Sequence, residues 1–393
     1  MATAIYRPVM LSPAQVGENA PCDFFDGNGN LLLRRGALIS ENVQKQLGNR
    51  RLFCHPERAA AISVENPLQS LADAGKALAT LDAAIVPGGK FKSEACHDLA
   101  AAVYASWRLD PDACIGYMRV ANPGPPSVCQ ALLAALFVAE LGSAHAFTRH
   151  ELVDLIGAAL TMNIGSMALH DEMAAVSGPL PISLRRPLTE HPRHAAEILG
   201  DAGVPEMWTR AVLESHENLN GSGYPRGLAK GRICLQARML RLVDILAARL
   251  RVRRGRGPQY WNITRARDLG GLIEQIFGAD LDSLDMSLAR LLMGRLGLFP
   301  PGSVVRLSNG EMAIIGRRSY DVVRDATLAP REVLSFLDAN GQPRSEPRSR
   351  RVGPHDYRIL GYAHDDQPRL PAYDWPSIWG YRGGKNPHDG ASV

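Results

Sequence analysis

One block of 14 residues constrains this chain more than any other part of its sequence. Residues 215–228 read SHENLNGSGYPRGL and follow a segment with apolar residues at helical spacing. The three glycines and the proline of this block cannot continue a helix. The block therefore predicts a helix whose end presents His216 and Glu217, followed by an ordered loop that presents Tyr224.

The block closely resembles the second signature of the HD-GYP family, whose usual form is HHExxDGxGYPxGL. Ser215 stands in place of the first histidine and Asn220 in place of the aspartate. Members of this family are bacterial phosphodiesterases that act on cyclic di-GMP, and they hold two or three metal ions, typically iron or manganese. Such ions activate a water molecule and neutralise charge on the phosphoryl oxygens. The resemblance implies a mainly α protein built on an HD-type helical bundle.

The resemblance extends over roughly residues 125–296 and retains three of the family's metal-binding positions. His191 matches the histidine of an HP pair, His216 matches the second histidine of the HH pair, and Asp244 matches a later aspartate. Two histidines and one carboxylate can hold a single divalent ion with open positions. These residues are therefore residual ligands for one iron or manganese ion, or a hydrogen-bonded polar remnant with Glu217 or backbone groups as partners.

Other metal-binding positions of the family carry residues of unsuitable chemistry. Met162, Asn163 and Ser166 fall where the HDxGK element has its histidine, aspartate and lysine, and Ser215 replaces an imidazole. A thioether is poorly matched to iron or manganese, and a neutral amide cannot bridge two ions as an anion does. Residues 121–130 contain no histidine, aspartate or glutamate that could serve as the upstream ligand. We therefore expect no binuclear centre, no catalytic residue and, at most, one divalent ion as cofactor.

The pair His170-Asp171 spells HD but lies elsewhere in the pattern. It begins eight residues after Met162, where the family has a proline and an acid. Eight residues of helix span about 12 Å, so the pair could fill the ligand position only through a shift of more than two turns. We interpret it as a polar helix end.

The loop of the block has two interpretations. It is a rigid structure that closes the bundle, or, as the resemblance implies, a surface for partners such as GGDEF-type cyclases. A preformed loop binds a partner at low ordering cost. The residues concerned are Glu217, Asn220, Gly221, Gly223, Tyr224 and Pro225.

Arg253 and Arg254 belong to an arginine-rich run that follows the segment carrying Asp244. Arginine forms bidentate bonds with phosphate, so the run is a candidate binding site for cyclic di-GMP. The alternative is a solvated helix end, where the partial negative charge of the helix favours arginine.

The domain organisation follows from changes in pattern along the chain. Residues 299–366 include Asn309-Gly310 between apolar runs, which predicts a hairpin. The predicted units are a small β-rich N-terminal module (1–66), a helical connector (67–122), an HD-GYP-like helical domain (123–298), a small β-rich C-terminal module (299–366) and a poorly ordered tail (367–393).

Two helix starts can be predicted within the helical domain. Thr148 and Glu151 have the spacing of a capping box, so a helix should begin there and run toward Met167. Another helix should begin near Thr189 and end before Gly203, with a proline in its first turn where the missing N–H costs nothing.

Composition excludes several classes of function. The net charge of +4 over 393 residues is too small to indicate nucleic-acid binding, and the six cysteines lack the CxxC spacing of a zinc site. The longest apolar run, residues 131–139, is far shorter than the ~20 residues that a membrane span needs. We therefore expect a cytoplasmic protein without nucleic acid or membrane as partner.

Three functions remain open from the sequence. The first is a catalytically inactive signalling protein that binds a partner or a nucleotide. The second is an active phosphohydrolase, a cyclic di-GMP phosphodiesterase with a reduced single-metal site. The third is a nucleotide sensor that uses the arginine run and the cleft in which the family has its active site.

Overall fold

The computed structural model describes residues 7–9, 16–26, 30–47, 52–54, 66–85, 92–176, 181–250, 269–318, 330, 332–363, 370 and 373–381. These residues are mainly α-helical, with one small antiparallel sheet before the main helices and another after them. This architecture confirms the predicted fold class.

The N-terminal sheet is built from short strands with an apolar cluster of its own. Its strands are β1 (Arg7–Val9), β2 (Phe24–Phe25), β3 (Leu31–Leu33) and β4 (Leu52–Cys54), in the order β1-β4-β2-β3. Helix α1 (Glu41–Leu47) packs Val43 and Leu47 against this cluster. The hydroxyl of Ser40 accepts a hydrogen bond from the amide of Val43 at 3.3 Å and so caps the helix.

The main helices share one hydrophobic core. They are α2 (Pro67–Ala83), α3 (Ser93–Leu109), α4 (Pro111–Val120), α5 (Pro126–Ala144), α6 (Arg149–Thr161), α7 (Met167–Ala175), α8 (Ile182–Ala202), α9 (Glu206–Leu213), α10 (Leu235–Arg249), α11 (Leu269–Phe277) and α12 (Met286–Leu296).

Helix α5 is the centre of this core. Every residue from Ser127 to Gly142 is buried, and α5 contacts α2, α3, α4, α6, α7, α10 and α12. A helix covered on all sides is apolar nearly all round, and the buried Gln130 and Glu140 of α5 have hydrogen-bond partners. Its length and hydropathy would suit a membrane span, but 89% of its most apolar stretch is buried inside the protein, so we interpret it as a core helix.

The C-terminal sheet packs one of its faces on the helices. Its strands are β5 (Val304–Leu307), β6 (Met312–Ile314), β7 (Glu332–Leu337), β8 (Pro343–Arg351) and β9 (Ile359–Tyr362), in the order β8-β7-β6-β5-β9. The predicted hairpin at Asn309-Gly310 joins β5 and β6, with Gly310 at φ +88°. Ile314 and Phe336 belong to the helical core, whereas Val305 belongs to a cluster on the other face.

Buried ion pairs anchor this sheet to the helices. Asp110, between α3 and α4, caps α4 and accepts both terminal nitrogens of Arg317 at 2.9 and 3.0 Å. The guanidinium of Arg318 donates to Asp112 at 2.6 Å and to Glu140 of α5 at 2.8 Å. The sheet and the helices are therefore parts of one folded unit.

Two of the predicted boundaries are wrong for the described residues. Residues 67–122 are not a separate connector, because α2, α3 and α4 bury their apolar faces in the same core as α5. Part of the predicted tail is ordered: helix α13 (Trp375–Ile378) precedes Trp379 and Tyr381, which are fully buried. The hydroxyl of Tyr381 donates to Asp110 at 3.0 Å. Residues 382–393 lie outside the described residues.

The helix starts were predicted with mixed success. The capping box of Thr148 and Glu151 is confirmed, but α6 ends at Thr161 because the chain turns over residues 162–165, with Gly165 at φ +74°. Helix α8 begins at Ile182, so Pro192 lies inside it and not in its first turn. Its end before Gly203 is confirmed.

Candidate functional site

The ring of His191, in α8, is oriented by a hydrogen bond to a backbone carbonyl that Pro192 leaves unpaired. Pro192 has no N–H and leaves the carbonyl of Leu188 without its helical donor. The Nδ1 of His191 lies 2.6 Å from that carbonyl oxygen. Because a carbonyl only accepts, Nδ1 carries the proton and Nε2 keeps its lone pair. That Nε2 is buried and has no hydrogen-bond partner in the described part of the chain.

His216 lies after α9, in the turn that begins the loop. The loop folds back so that the amide of Tyr224 donates to the carbonyl of His216 at 3.1 Å. The two rings stack with centroids 5.0 Å apart and planes 8° apart. This stacking makes Tyr224 half-buried, with its ring turned toward the site.

The Nδ1 of His216 faces two groups at hydrogen-bond distance. The hydroxyl of Tyr224 lies at 3.1 Å and the Nη1 of Arg241, on α10, at 3.2 Å. Arg241 is anchored in turn by a bond of 3.1 Å from its Nε to the side-chain oxygen of Asn218. The Nε2 of His216 is buried and, among the described residues, lacks a hydrogen-bond partner.

Asp244 lies on α10, close enough to His191 to influence it electrostatically. It is 8% exposed, and one of its oxygens accepts a bond of 2.6 Å from the side-chain amide of Gln130 on α5. Electrostatic influence of Asp244 reaches both His191 and Tyr224. The structure therefore brings the three predicted residues His191, His216 and Asp244 into one region.

His170 also belongs to this region, which the sequence interpretation missed. Its ring centroid lies 5.0 Å from that of His191, and the centroids of His191 and His216 are 4.7 Å apart. The argument from helix length assumed a continuous helix, but the turn at residues 162–165 lets α7 fold back onto α8. The interpretation of His170 as a polar helix end is therefore wrong.

Asp171 has a structural role instead. Its carboxylate accepts the amide of Ser127 at 2.7 Å and the hydroxyl of Ser127 at 2.9 Å. Ser127 lies at the start of α5, where free amides and the helix dipole favour a negative charge. Asp82 of α2 does the same near the start of α7, through the amide of Gly165 at 2.6 Å.

Burial keeps the two central imidazoles neutral. Burial and the neighbouring His170 lower the pKa of His191 to about 4. Burial, with His191 and the guanidinium of Arg241 beside it, holds the pKa of His216 well below its usual value. Burial likewise raises the pKa of Tyr224, so its hydroxyl keeps its proton at neutral pH.

The positions that lost their ligands are filled by the core. Met162 is fully buried and belongs to the hydrophobic cluster of the helices, and Asn163 is 3% exposed. Ser166 is half-buried and makes no side-chain cap for α7. Ser215 is 1% exposed, and its hydroxyl has no hydrogen-bond partner among the described residues.

The predicted binding loop is tied to the protein from within. The carboxylate of Glu217 accepts the amides of Arg226 at 2.7 Å and Leu228 at 2.8 Å, so this side chain is a clamp at 2% exposure. Asn220 caps the turn by accepting the amide of Ser222 at 3.0 Å.

Three glycine and proline positions complete the loop. Gly221 has φ +81°, which favours glycine, and a Cβ on Gly223 would meet the amide nitrogen of Asn218 at 2.3 Å. Pro225 follows Tyr224 through a cis peptide bond. Arg253 and Arg254 lie outside the described residues.

The donors that remain do not fit a bound metal ion. Among the described residues, no three His, Cys, Asp or Glu side chains are arranged to share one ion. His191 offers a lone pair at Nε2, as a ligand must, with its Nδ1 bonded to a backbone carbonyl in the usual way. His216 does not, because its Nδ1 faces the guanidinium of Arg241. No reaction step through a metal ion follows from this geometry.

This part of the chain is similar in sequence to known proteins. Residues 118–266 match the HD domain family. A cyclic di-GMP phosphodiesterase of Pseudomonas aeruginosa is 29% identical over 163 residues, which cover 40% of this chain and 36% of that protein, so the match spans little more than a third of the relative. A solved HDG"Y"P protein from Bdellovibrio bacteriovorus has 12% identity and a TM-score of 0.40, over 73% of this chain and 98% of that one.

Proposed function

Residues 118–266 match the HD domain family and are related to the HD-GYP cyclic di-GMP phosphodiesterases, and from this premise we propose that the domain binds and signals without hydrolysing a phosphodiester. It acts in the cytoplasm as a degenerate member of its family. Its partner is a GGDEF-type or other signalling protein, or cyclic di-GMP itself.

The observation that carries the proposal is that the carboxylates on the elements around the histidines accept hydrogen bonds from the protein itself. Asp171 accepts two bonds from Ser127, Asp82 accepts the amide of Gly165, and Asp244 accepts the amide of Gln130. A centre with two ions needs an anionic group that bridges them, and the position that would supply it carries neutral Asn163. His170 adds an imidazole to the region but no bridging charge.

Metal analysis and a hydrolysis assay test the proposal together. Protein purified without chelator should contain no stoichiometric iron or manganese, and it should not hydrolyse cyclic di-GMP under loading with either metal. The His191→Ala and Asp244→Ala variants should give the same background rate as the wild type. Two or more ions per chain, with turnover lost in either variant, would refute the proposal.

One observation favours the alternative of an active single-metal phosphohydrolase. His170 lies beside His191, so three imidazoles lie together in this region. This alternative predicts about one divalent ion per chain, turnover of cyclic di-GMP, and loss of both in a His216→Ala variant. Protein that stays inert with iron and with manganese eliminates it.

The rigid loop supports the binding role. The Glu217 clamp and the Asn220 cap hold residues 217–228 before any partner arrives, so little ordering cost remains for binding. Calorimetry with cyclic di-GMP on the wild type and on an Arg253→Ala/Arg254→Ala double variant tests the nucleotide. No heat and no thermal shift with the wild type would leave a protein partner as the ligand class.

A further inference from the structure

We propose that Arg241 is the resident cation of this site and that it excludes a metal ion by fixing the proton of His216 on Nε2. This inference deepens the proposed function and rests on it. It concerns the hydrogen-bonding state of one ring, which can be measured apart from any activity.

The first step is the direction of the hydrogen bond. The Nη1 of Arg241 lies 3.2 Å from the Nδ1 of His216. A guanidinium has donors and no acceptor, so Nδ1 has to be the acceptor. The hydroxyl of Tyr224, 3.1 Å from the same nitrogen, can donate to it as well. A neutral imidazole with an accepting Nδ1 carries its proton on Nε2.

The second step is what this tautomer does to metal binding. A histidine ligand offers a lone pair from one nitrogen and donates a proton from the other. In His216 the Nδ1 lone pair is engaged by Arg241, and Nε2 carries a proton. Neither nitrogen is free to bind an ion. His216 is 6% exposed, so solvent offers little exchange of partners.

His191 provides the contrast within the same site. Its Nδ1 donates to the carbonyl of Leu188, and its Nε2 lone pair points into the protein without a partner among the described residues. His191 therefore has the tautomer of a metal ligand, whereas His216, with its ring centroid 4.7 Å away, has the opposite one. In this arrangement only His191 offers a free lone pair to a cation.

The third step is charge. Arg241 lies one helical turn before Asp244 on α10, and Asn218 of the loop holds its Nε at 3.1 Å. Its positive charge is thus fixed beside the imidazole of His216, 3.2 Å from Nδ1. Like charges a few ångströms apart repel more strongly in a partly buried site than in water. Arg241 therefore opposes a divalent cation through its charge as well as through its hydrogen bond.

The tautomer is the primary measurement. Long-range proton–nitrogen correlation spectra of histidine-labelled wild-type protein show which ring nitrogen is protonated, and the His191→Gln and His216→Gln variants assign the signals. We expect His216 with its proton on Nε2 and His191 with its proton on Nδ1. A proton on the Nδ1 of His216 in the wild type would overturn the inference, and this result needs no folded Arg241 variant.

Metal titration is the second measurement, with Mn²⁺ followed by calorimetry. Arg241→Met removes the guanidinium, and Arg238→Met is the matched control, because Arg238 lies on the same helix but pairs with Asp285 at 2.7 Å. Changes beside a metal ligand alter affinity by about 10–100-fold, so Arg241→Met should bind Mn²⁺ at least about tenfold more tightly than wild type and control. Equal affinity in all three proteins would overturn the inference.

The outcomes separate the inference from the proposed function. Hydrolysis of cyclic di-GMP by the wild type would refute the proposed function, whatever the tautomer. An inert wild type with the proton of His216 on Nδ1 would leave the proposed function intact and refute the role of Arg241.

Discussion

The packing of Gly157 against Trp208 allows a test of how closely α6 packs on α9, the helix that precedes His216. A Cβ on Gly157, in α6, would lie 1.9 Å from the Cη2 of Trp208, so the indole ring has to move in a Gly157→Ala variant. Trp208 is 1% exposed, and its Nε1 donates to the hydroxyl of Thr161 at 2.9 Å. Any shift of the ring disturbs this bond as well as the packing of α6 on α9.

The expected magnitude follows from three competing effects. Overpacking a core costs about 1–3 kcal/mol. Weakening the buried hydrogen bond adds about 1 kcal/mol. Replacing a helix glycine by alanine returns about 1 kcal/mol. Gly157→Ala should therefore lower the free energy of unfolding by about 1–3 kcal/mol.

Gly200 in α8 provides the matched control. A Cβ there would meet nothing within 4 Å, so only the gain in helix propensity remains. Gly200→Ala should raise the free energy of unfolding by up to about 1 kcal/mol. Urea unfolding of both variants, followed by far-UV circular dichroism, measures the two changes. The reasoning is refuted if Gly157→Ala is as stable as the wild type while Gly200→Ala shows its gain.

Three further results are expected. Glu217→Ala should lower the free energy of unfolding, measured in urea, by about 2–4 kcal/mol, because two backbone amides lose a charged acceptor. The variant's loop should also be cleaved faster by proteases; cleavage at the wild-type rate would contradict the role of Glu217 as a clamp. Folding lowers the pKa of His191 from 6.5 to about 4. Between these pH values the unfolded chain therefore binds a proton on His191 more readily than the folded protein does. The wild type should therefore lose about 3 kcal/mol of stability as pH falls from 6.5 to 4 beyond any loss in His191→Gln, whereas parallel pH curves would contradict it. Asp110→Ala should cost about 3–5 kcal/mol by leaving Arg317 without its buried partner, and adding Arg317→Met should recover part of this loss; a strictly additive double variant would contradict the pairing.

The features that the sequence predicted well depend on residues close together in the chain. The capping box joins residues three apart, and the Asn309-Gly310 turn joins adjacent strands. The signature at residues 215–228 likewise predicted an ordered loop, and its Glu217 and Asn220 hold that loop. Its prediction that a helix end presents His216 and Glu217 is wrong, because α9 ends at Leu213. Local hydrogen bonds and backbone preferences act over these short separations, so a pattern of residue types is enough to indicate them.

The features that the sequence did not predict depend on how distant elements meet. His170 lies beside His191 because the chain turns at residues 162–165, and the angle of that turn is set by the packing of α7 on α8. The bond from Gln130 to Asp244 spans 114 positions, and part of the predicted tail packs Trp379 into the helical core. Helical spacing places residues on a face, but it does not say which face of another helix they will meet.

The sequence alone determined the helical class, the kinship carried by the SHENLNGSGYPRGL block, and the absence of ligands at Met162 and Asn163. The tertiary structure alone decided which ring nitrogen is protonated in the two histidines that remain, His191 and His216. Whether an imidazole can bind an ion depends on which of its nitrogens is protonated, and that is set by the neighbours that donate and accept around it. For His191 the neighbour is a carbonyl freed by a proline, and for His216 it is a guanidinium 25 positions further along the chain.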